Sequence, residues 1–389
     1  MDTRQFIAEH LHDDVHELAL KYRNAKVDMA LALRQIAARQ LLLKKVPSWS
    51  GNEDLLFPSH LSLEQCSSEA AALYKASLLQ GDTFADLTGG LGVDCYFISR
   101  RFERSDYVEQ NPELCNLAEH NFATLAAPDL SVFNESAEDY LDHCGPKDCL
   151  FLDPSRRDAQ GHKTVSIADC TPDVTALQER LLRLAPRVMV KLSPMLDLSL
   201  ALRQLRQVAQ VHVVAVANEC KELLFLLEAG YQGEPVFTCV NLLTDQPAVH
   251  FTREEESACQ PVLADEVLSY LYEPHAALLK AGCFKLLTQR FGVRKLHRNS
   301  HLYTSDTLVV GFPGRVFKVE GWAPYNKAIR QTLLQGVGQA SVAVRNFPLD
   351  VATLRKTLRI SDGDAVYLFA TQLTGDRKVI VKTVKAIAE

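Results

Sequence analysis

Thr83-Phe84-Ala85-Asp86-Leu87-Thr88-Gly89-Gly90-Leu91-Gly92-Val93-Asp94 decides how the rest of this 389-residue chain is read. A short apolar run closes on an acid, a glycine turn follows, and Val93 opens a helical pattern. Strand, turn and helix in that order make the first βα unit of a nucleotide-cofactor fold. Asp86 sets a carboxylate at the carboxyl end of the strand, where open α/β sheets bind ligands. Gly90 and Gly92 let the backbone approach a ligand that a Cβ would strike. The loop is not a phosphate loop, because no Gly-Lys-Ser/Thr follows. It also fails the dinucleotide spacing, since Cys95 stands where the last glycine belongs.

Outward from this unit, the chain alternates strand and helix. A helix from Val93 to Arg101 carries Asp94 in its first turn, where a carboxylate suits the helix dipole. A second strand, Asp106 to Glu109, ends on an acid and is followed by Gln110, Asn111, Pro112 and a helix over 113–125. A third, Val132-Phe133, leads into Asn134-Glu135-Ser136-Ala137, with Ser136 placed to cap a helix. A fourth, Cys149 to Leu152, ends in Asp153-Pro154-Ser155-Arg156-Arg157. A fifth, Val188 to Leu192, contains Lys191 and precedes Ser193, which bind substrate phosphate or shape the loop. Val211 to Ala217 is a sixth strand. It ends in Asn218-Glu219-Cys220-Lys221-Glu222, which lines a pocket or caps a helix. Pro235 to Leu243 supplies the seventh, and Thr252 to Glu256 reads as an acidic linker. Upstream, residues 4–45 have helical spacing and propensity. Pro47 and Pro58 break the pattern, and Ser67 or Ser68 caps a helix running up to the first strand.

Composition points to a cytoplasmic globular protein: 47% hydrophobic and 23% charged residues, with no apolar run of bilayer length and no signal-peptide core after Met1-Asp2-Thr3-Arg4. Ten cysteines without a C-x-x-C pair read as reduced and mostly buried, and no metal site is expected. Covalent pyrimidine chemistry would need a cysteine nucleophile; Cys170 is the nearest candidate, but its setting reads as the start of a helix. The net charge of −6 conceals an asymmetry. From Lys280 onward there are 18 Lys and Arg against 7 Asp and Glu, a charge of +11, while the remainder carries −17. A basic end on an acidic body is the footprint of a module that binds polyanions.

The D-x-x-x-G-x-G arrangement from Asp86 to Gly92 resembles motif I of class I S-adenosylmethionine-dependent methyltransferases, with Thr88 where many members carry a first glycine. Asp153-Pro154 is similar to motif IV of nucleic-acid base methyltransferases, with Ser155 replacing a second proline and Arg156 and Arg157 in place of an aromatic. LEQCSSE, DLTGGLGVD, DPSRR, YLYEPHAALLKAG, PGR and RNFP extend the likeness over most of the chain. The layout is similar to bacterial methyltransferases that end in a ferredoxin-like module and a THUMP-like domain.

The resemblance implies an α/β fold with a Rossmann-like seven-stranded sheet, an N-terminal helical region (1–80), a methyltransferase domain (81–250), a ferredoxin-like α+β module (265–315) and a THUMP-like domain (316–389). It implies S-adenosylmethionine bound over Asp86, Thr88, Gly90 and Gly92, with Asp94 near its ammonium and its ribose on Glu109 beside Gln110. Adenine would meet Ser136 and the amide of Ala137, with Glu135 as the alternative, and the methionine carboxylate would meet Ser67 and Ser68, for which simple capping is the alternative. Asp153 and Pro154 would hold the target, flanked by Arg156 and Arg157, whose other reading is ion pairing with Asp158 or Asp169. The expected activity is direct methyl transfer to a base of structured RNA, with nitrogen preferred as the acceptor. A catalytically silent RNA-binding protein and a methyltransferase for protein or small molecules are the alternatives.

Overall fold

A computed structural model describes residues 2–22, 26–58, 65–127, 129–155 and 167–386. Arg156, Arg157 and Asp158 lie outside the described residues, as do residues 63 and 64 of the LEQCSSE landmark. The chain divides into two compact units, Met1–Gln210 with Glu222–Gly233, and Val211–Lys221 with Glu234–Glu389.

The first unit opens with helices α1 (Thr3–Glu9), α2 (Val15–Lys21) and α3 (Met29–Lys45). Asp2, Asp14 and Asp28 cap them, each carboxylate accepting from amides of the first turn. Phe6, Leu18, Ala32 and Ile36 form their shared core. Pro47 starts the short helix α4 (Pro47–Ser50), where its missing N–H costs nothing. Buried Arg39 of α3 donates to the carbonyls of Asn52, Glu53 and Leu55, which ties down the following loop. Helix α5 (Glu69–Leu78) then runs up to the sheet.

Strands β1 (Thr83–Asp86), β2 (Arg104–Val108), β3 (Leu130–Phe133), β4 (Cys149–Leu152) and β5 (Arg187–Leu192) are parallel. They alternate with α6 (Val93–Ser99), α7 (Pro112–Thr124), α8 (Ala137–His143) and α9 (Val174–Leu184). Helix α10 (Leu198–Gln204) leads to β6 (Val208–Val216) and β7 (Glu219–Glu228), giving the order β3-β2-β1-β4-β5-β7-β6. β7 runs antiparallel to β5. The chain order reverses between β1 and β4, the switch point at which such sheets bind ligands. Asp86 is level with Tyr107 on one side and Phe151 on the other, so Glu109 and Asp153, each two residues further along, lie at the same edge.

The seventh strand differs from its expected place. It is Glu219–Glu228, reached from β6 through a two-residue turn in which Ala217 and Asn218 both have positive φ. That geometry fits a tight hairpin. Residues 218–222 therefore cap no helix: they turn the chain and start a buried strand.

In the second unit, β8 (Val236–Leu242) and β9 (Val249–Phe251) are antiparallel. The expected acidic linker is instead helix α11 (Arg253–Ala258), opened by a capping box between Thr252 and Glu255. Its Glu256 is buried and accepts from the amides of Phe284, Lys285 and Leu286. A sheet of seven strands follows, in the order β11-β12-β10-β13-β16-β15-β14. Its members are β10 (Tyr270–Pro274), β11 (Arg294–Lys295), β12 (Tyr303–Ser305), β13 (Gly314–Pro324), β14 (Ser341–Val344), β15 (Tyr367–Leu373) and β16 (Arg377–Lys385). Helices α12 (Ala276–Ala281), α13 (Leu286–Arg290) and α14 (Val351–Leu358) accompany it. Three sequence landmarks meet here: Glu273 of YLYEP is buried and pairs with Arg315 of PGR and Arg345 of RNFP. Gly314 begins a strand, and a Cβ on it would lie 2.1 Å from the Glu273 carbonyl oxygen. Among the described residues no helix is long and apolar enough to cross a membrane.

Candidate active site

The glycine loop is built from the ends of three strands. Asp86 is buried at the end of β1, and its Oδ1 accepts from the Thr88 amide at 3.0 Å. The Thr88 hydroxyl accepts from the Asp153 amide at 2.6 Å and so joins the ends of β1 and β4. Glu109 holds the turn from the β2 side: Oε2 accepts from the Gly90 amide at 3.0 Å and Oε1 from the Asn111 amide at 2.9 Å. The Tyr107 hydroxyl donates to the Gly90 carbonyl at 2.6 Å.

The glycines have different reasons to be there. Gly90 has φ +55°, and a Cβ on it would meet only the Thr88 carbonyl oxygen at 3.7 Å, so its side of the loop is open to a ligand. Gly92 has φ +81°, but its Cβ would lie 2.7 Å from the Phe122 ring. Packing against α7 therefore accounts for Gly92, where the sequence suggests ligand approach. Gly89 is likewise required by the Tyr107 ring, 2.2 Å from its would-be Cβ.

Beside the loop lies a buried charge network. Lys75 of α5 donates to both oxygens of Glu222 at 2.8 and 2.7 Å and to Ser67 Oγ at 3.0 Å, and pairs with Asp94 Oδ1 at 3.0 Å. Lys191, near the end of β5, donates to Asp153 Oδ2 at 2.5 Å and Ser67 Oγ at 3.0 Å, with a longer contact of 3.4 Å to Asp94 Oδ2. The Ser67 hydroxyl donates to Asp94 Oδ2 at 2.7 Å. Ions removed from water in this way persist only when each is paired and hydrogen-bonded. Burial disfavours the Asp94 carboxylate, yet Lys75, Lys191 and Ser67 outweigh it and hold its pKa below the usual value. Burial also disfavours the Lys191 ammonium, but Asp153, Asp94 and Glu222 raise its pKa well above the ordinary lysine value. Asp86 has no such partner. Burial pushes its carboxyl up to about 8, with Asp94 and Asp153 adding to the rise against the Thr88 amide. Two lysines against Asp94, Asp153 and Glu222 leave the network with a formal charge of −1.

Several sequence candidates have their side chains already engaged. Ser67 is the hub of the network. Ser68 caps α5, accepting from the Ala71 amide. Ser136 caps α8, accepting from the Asp139 amide at 3.1 Å and donating to its carboxylate at 2.7 Å. Glu135 pairs with His143. Ala137 and Pro154 are buried and Gln110 is exposed. Ser155 pairs through its backbone with Thr171, and Cys170 is buried beside that bridge. Of the two roles open to Lys191 and Ser193, phosphate binding or shaping the loop, the contacts favour the second: Lys191 faces carboxylates and Ser193 Oγ accepts from the Met195 amide.

A ferredoxin-like family model matches residues 270–313, and a THUMP-like one matches 314–383. No curated protein matches in sequence. A crystal structure of a candidate methyltransferase from Porphyromonas gingivalis W83 aligns over 99% of this chain and 98% of that one, with 34% identity and a TM-score of 0.86. The chain belongs to the family of this candidate methyltransferase. Matches to a candidate methyltransferase from Streptococcus mutans in complex with SAH (14% identity, 41% and 95% of the two chains) and to the tRNA (uracil-54, C5)-methyltransferase of Pyrococcus abyssi (16%, 45% and 41%) have TM-scores of 0.31 and 0.30, too low to bear on the argument.

Sequence reading of this methyltransferase misses Lys75 altogether and leaves Glu222 among polar edge residues. A signal exists for the first. The buried face of α5 is Ala71, Ala72, Lys75 and Ala76, so helical spacing turns Lys75 toward the core, where an ammonium demands a partner.

Proposed function

We propose that this methyltransferase modifies RNA, with S-adenosylmethionine held over the glycine loop. The observation that carries the reading is the meeting of Asp86, Glu109 and Asp153 at one sheet edge around the open side of Gly90. The residues fit the cofactor. Each Glu109 oxygen takes one amide and keeps a lone pair for a ribose hydroxyl. Ser136 and the Ala137 amide serve adenine from the start of α8, with Gln110 alongside. Ser67 is committed to Asp94 and the lysines, so the methionine carboxylate falls to Ser68 and the first amides of α5. The network's charge of −1 suits a donor whose net charge is +1. When bound, the cofactor supplies an electrophilic methyl group, and the chain's part is to align an acceptor at Asp153. In the sequence Arg156 and Arg157 follow Asp153-Pro154 and are the candidates to flank the target.

RNA is supported by the charge of +11 beyond Lys280 and by the THUMP-like segment that carries much of it. Calorimetry with S-adenosylmethionine tests the cofactor, and tritium transfer from labelled cofactor into RNA, DNA or protein tests the substrate. Label in RNA is the expected result. Label in protein alone overturns the RNA reading. Binding of cofactor and RNA without transfer identifies an RNA-binding protein with a silent core.

A further inference from the structure

The charge network contains more than cofactor binding requires. Asp153 is its member nearest solvent, with a side chain 37% exposed, whereas Lys75, Glu222, Asp94 and Lys191 are buried. An acceptor therefore reaches the network at Asp153 and meets the Lys191 ammonium, 2.5 Å from Oδ2, at the same time.

This pairing discriminates between acceptor atoms. An amino nitrogen is oriented by groups that accept its two N–H bonds. Here a cation takes one lone pair of Asp153 Oδ2, and the ammonium beside it has hydrogens to give and no lone pair to offer, so only one side of the pair accepts from an amino group. Donor would face donor. The sequence after Asp153-Pro154 also supplies Ser155, Arg156 and Arg157, with no aromatic ring on which a base could stack. A hydroxyl is the complement of the pair: its oxygen accepts from Lys191 while its hydrogen is donated to Asp153. In an RNA chain the hydroxyl present at every nucleotide is the ribose 2′-OH.

We propose that the methyl acceptor is a ribose 2′-oxygen seated between Asp153 and Lys191, and that Lys75 and Glu222 are positioning residues acting through Asp94 and Ser67. The proposal rests on the RNA reading and replaces the base nitrogen expected from sequence. The acceptor oxygen forms a bond to the methyl carbon as the carbon–sulfur bond breaks, and that electron pair remains on sulfur. The hydroxyl proton passes to the Asp153 carboxylate. Charge developing on the oxygen is met by the Lys191 ammonium, whose elevated pKa keeps it protonated. Its longest contact is 3.4 Å to Asp94 Oδ2, so that N–H is the one most readily shared with the incoming oxygen. Ser67 and Asp94 fix the ammonium in advance, so the site is organised before the acceptor arrives.

The test uses the full chain, labelled cofactor and total RNA from a strain lacking the protein. After transfer the RNA is hydrolysed in alkali, which cleaves next to every free 2′-OH. Label in alkali-resistant dinucleotides is the expected result. Label in mononucleotides overturns the 2′-oxygen while leaving the RNA reading intact, and no label in RNA removes both. Once the nucleotide is located, a fragment with 2′-deoxyribose at that position binds within about twofold of the parent and receives no methyl; transfer to it overturns the proposal. Asp153→Asn and Lys191→Met each lower kcat by about 10²–10³-fold with KM for RNA changed by less than about threefold. Cofactor calorimetry verifies that both variants are folded. Unchanged kcat in a variant that binds cofactor overturns the role of that residue.

Discussion

Lys75→Met tests the buried network most directly. The ammonium has a fully buried side chain and serves two carboxylates, Glu222 at 2.7 and 2.8 Å and Asp94 at 3.0 Å. Removing it leaves both under-compensated in the interior, which costs about 3–5 kcal/mol for a broken buried pair. Glu222→Leu removes less, because Lys75 keeps Asp94 and Ser67; about 1–3 kcal/mol is expected. The decisive variant combines the two. With Glu222 gone, Lys75→Met strands only Asp94, which still has Lys191. The double variant is therefore more stable than Lys75→Met alone, by about 1–2 kcal/mol. Urea unfolding measures this. Trp49 lies in the core of the first unit, and Trp322→Phe makes it the sole tryptophan reporter. At about 2 kcal/mol per molar urea, Lys75→Met lowers the midpoint by about 2 M, and the second substitution restores part of it. Additive losses would show that Lys75 and Glu222 do not stabilise one another, and the account of the site would fall.

The Asp86 carboxyl, raised to about 8, keeps its proton in the folded chain over a range where the unfolded chain has lost it. Its contribution to stability is complete below about pH 4 and declines by about 1.4 kcal/mol per pH unit until about pH 8. Asp86→Asn removes that slope; parallel stability curves for the two proteins between pH 5 and 7.5 would contradict the assignment. Charge reversal at exposed Lys356, Arg359 and Lys378 weakens RNA binding and flattens its salt dependence. The log–log slope, read from filter binding at several salt concentrations, falls by about 0.9 for each phosphate no longer neutralised. An unaltered slope would place the RNA elsewhere. Gly314→Ala drives a methyl group onto the Glu273 carbonyl and costs the second unit about 2–3 kcal/mol, monitored by Trp322 fluorescence. A loss below about 0.5 kcal/mol would mean that β10 and β13 yield easily.

The parts of the site legible in sequence are those announced locally. Asp86, Glu109 and Asp153 each close an apolar run, and alternation with helices implies parallel strands whose ends share an edge. What stays hidden depends on partners distant in the chain. Nothing near Lys75 reveals that its counter-ion is Glu222. Pro235 to Leu243 carries as good a strand pattern as Glu219–Glu228, and the pattern does not say which neighbour it joins. One misreading is avoidable. Thr252 and Glu255 have capping-box spacing, which a reading of charge alone overlooks. The glycines of the loop invite assignment to a ligand, and Gly92 answers to Phe122 as well.

The Lys75–Glu222 pair has a consequence for synthesis. The two residues are separated by 147 positions, and Glu222 begins a segment that returns to the first unit only after residues 211–221 have been made as part of the second. At about 5–20 residues per second, the ribosome emits Lys75 roughly 7–30 s before its counter-ion. Late in that interval a nascent chain already holding β1 to β5 has Lys75 paired with Asp94 and Ser67 and still without Glu222. A truncated chain ending near residue 210 should for that reason lack the stability, about 1–3 kcal/mol, that Glu222 adds, however complete its glycine loop.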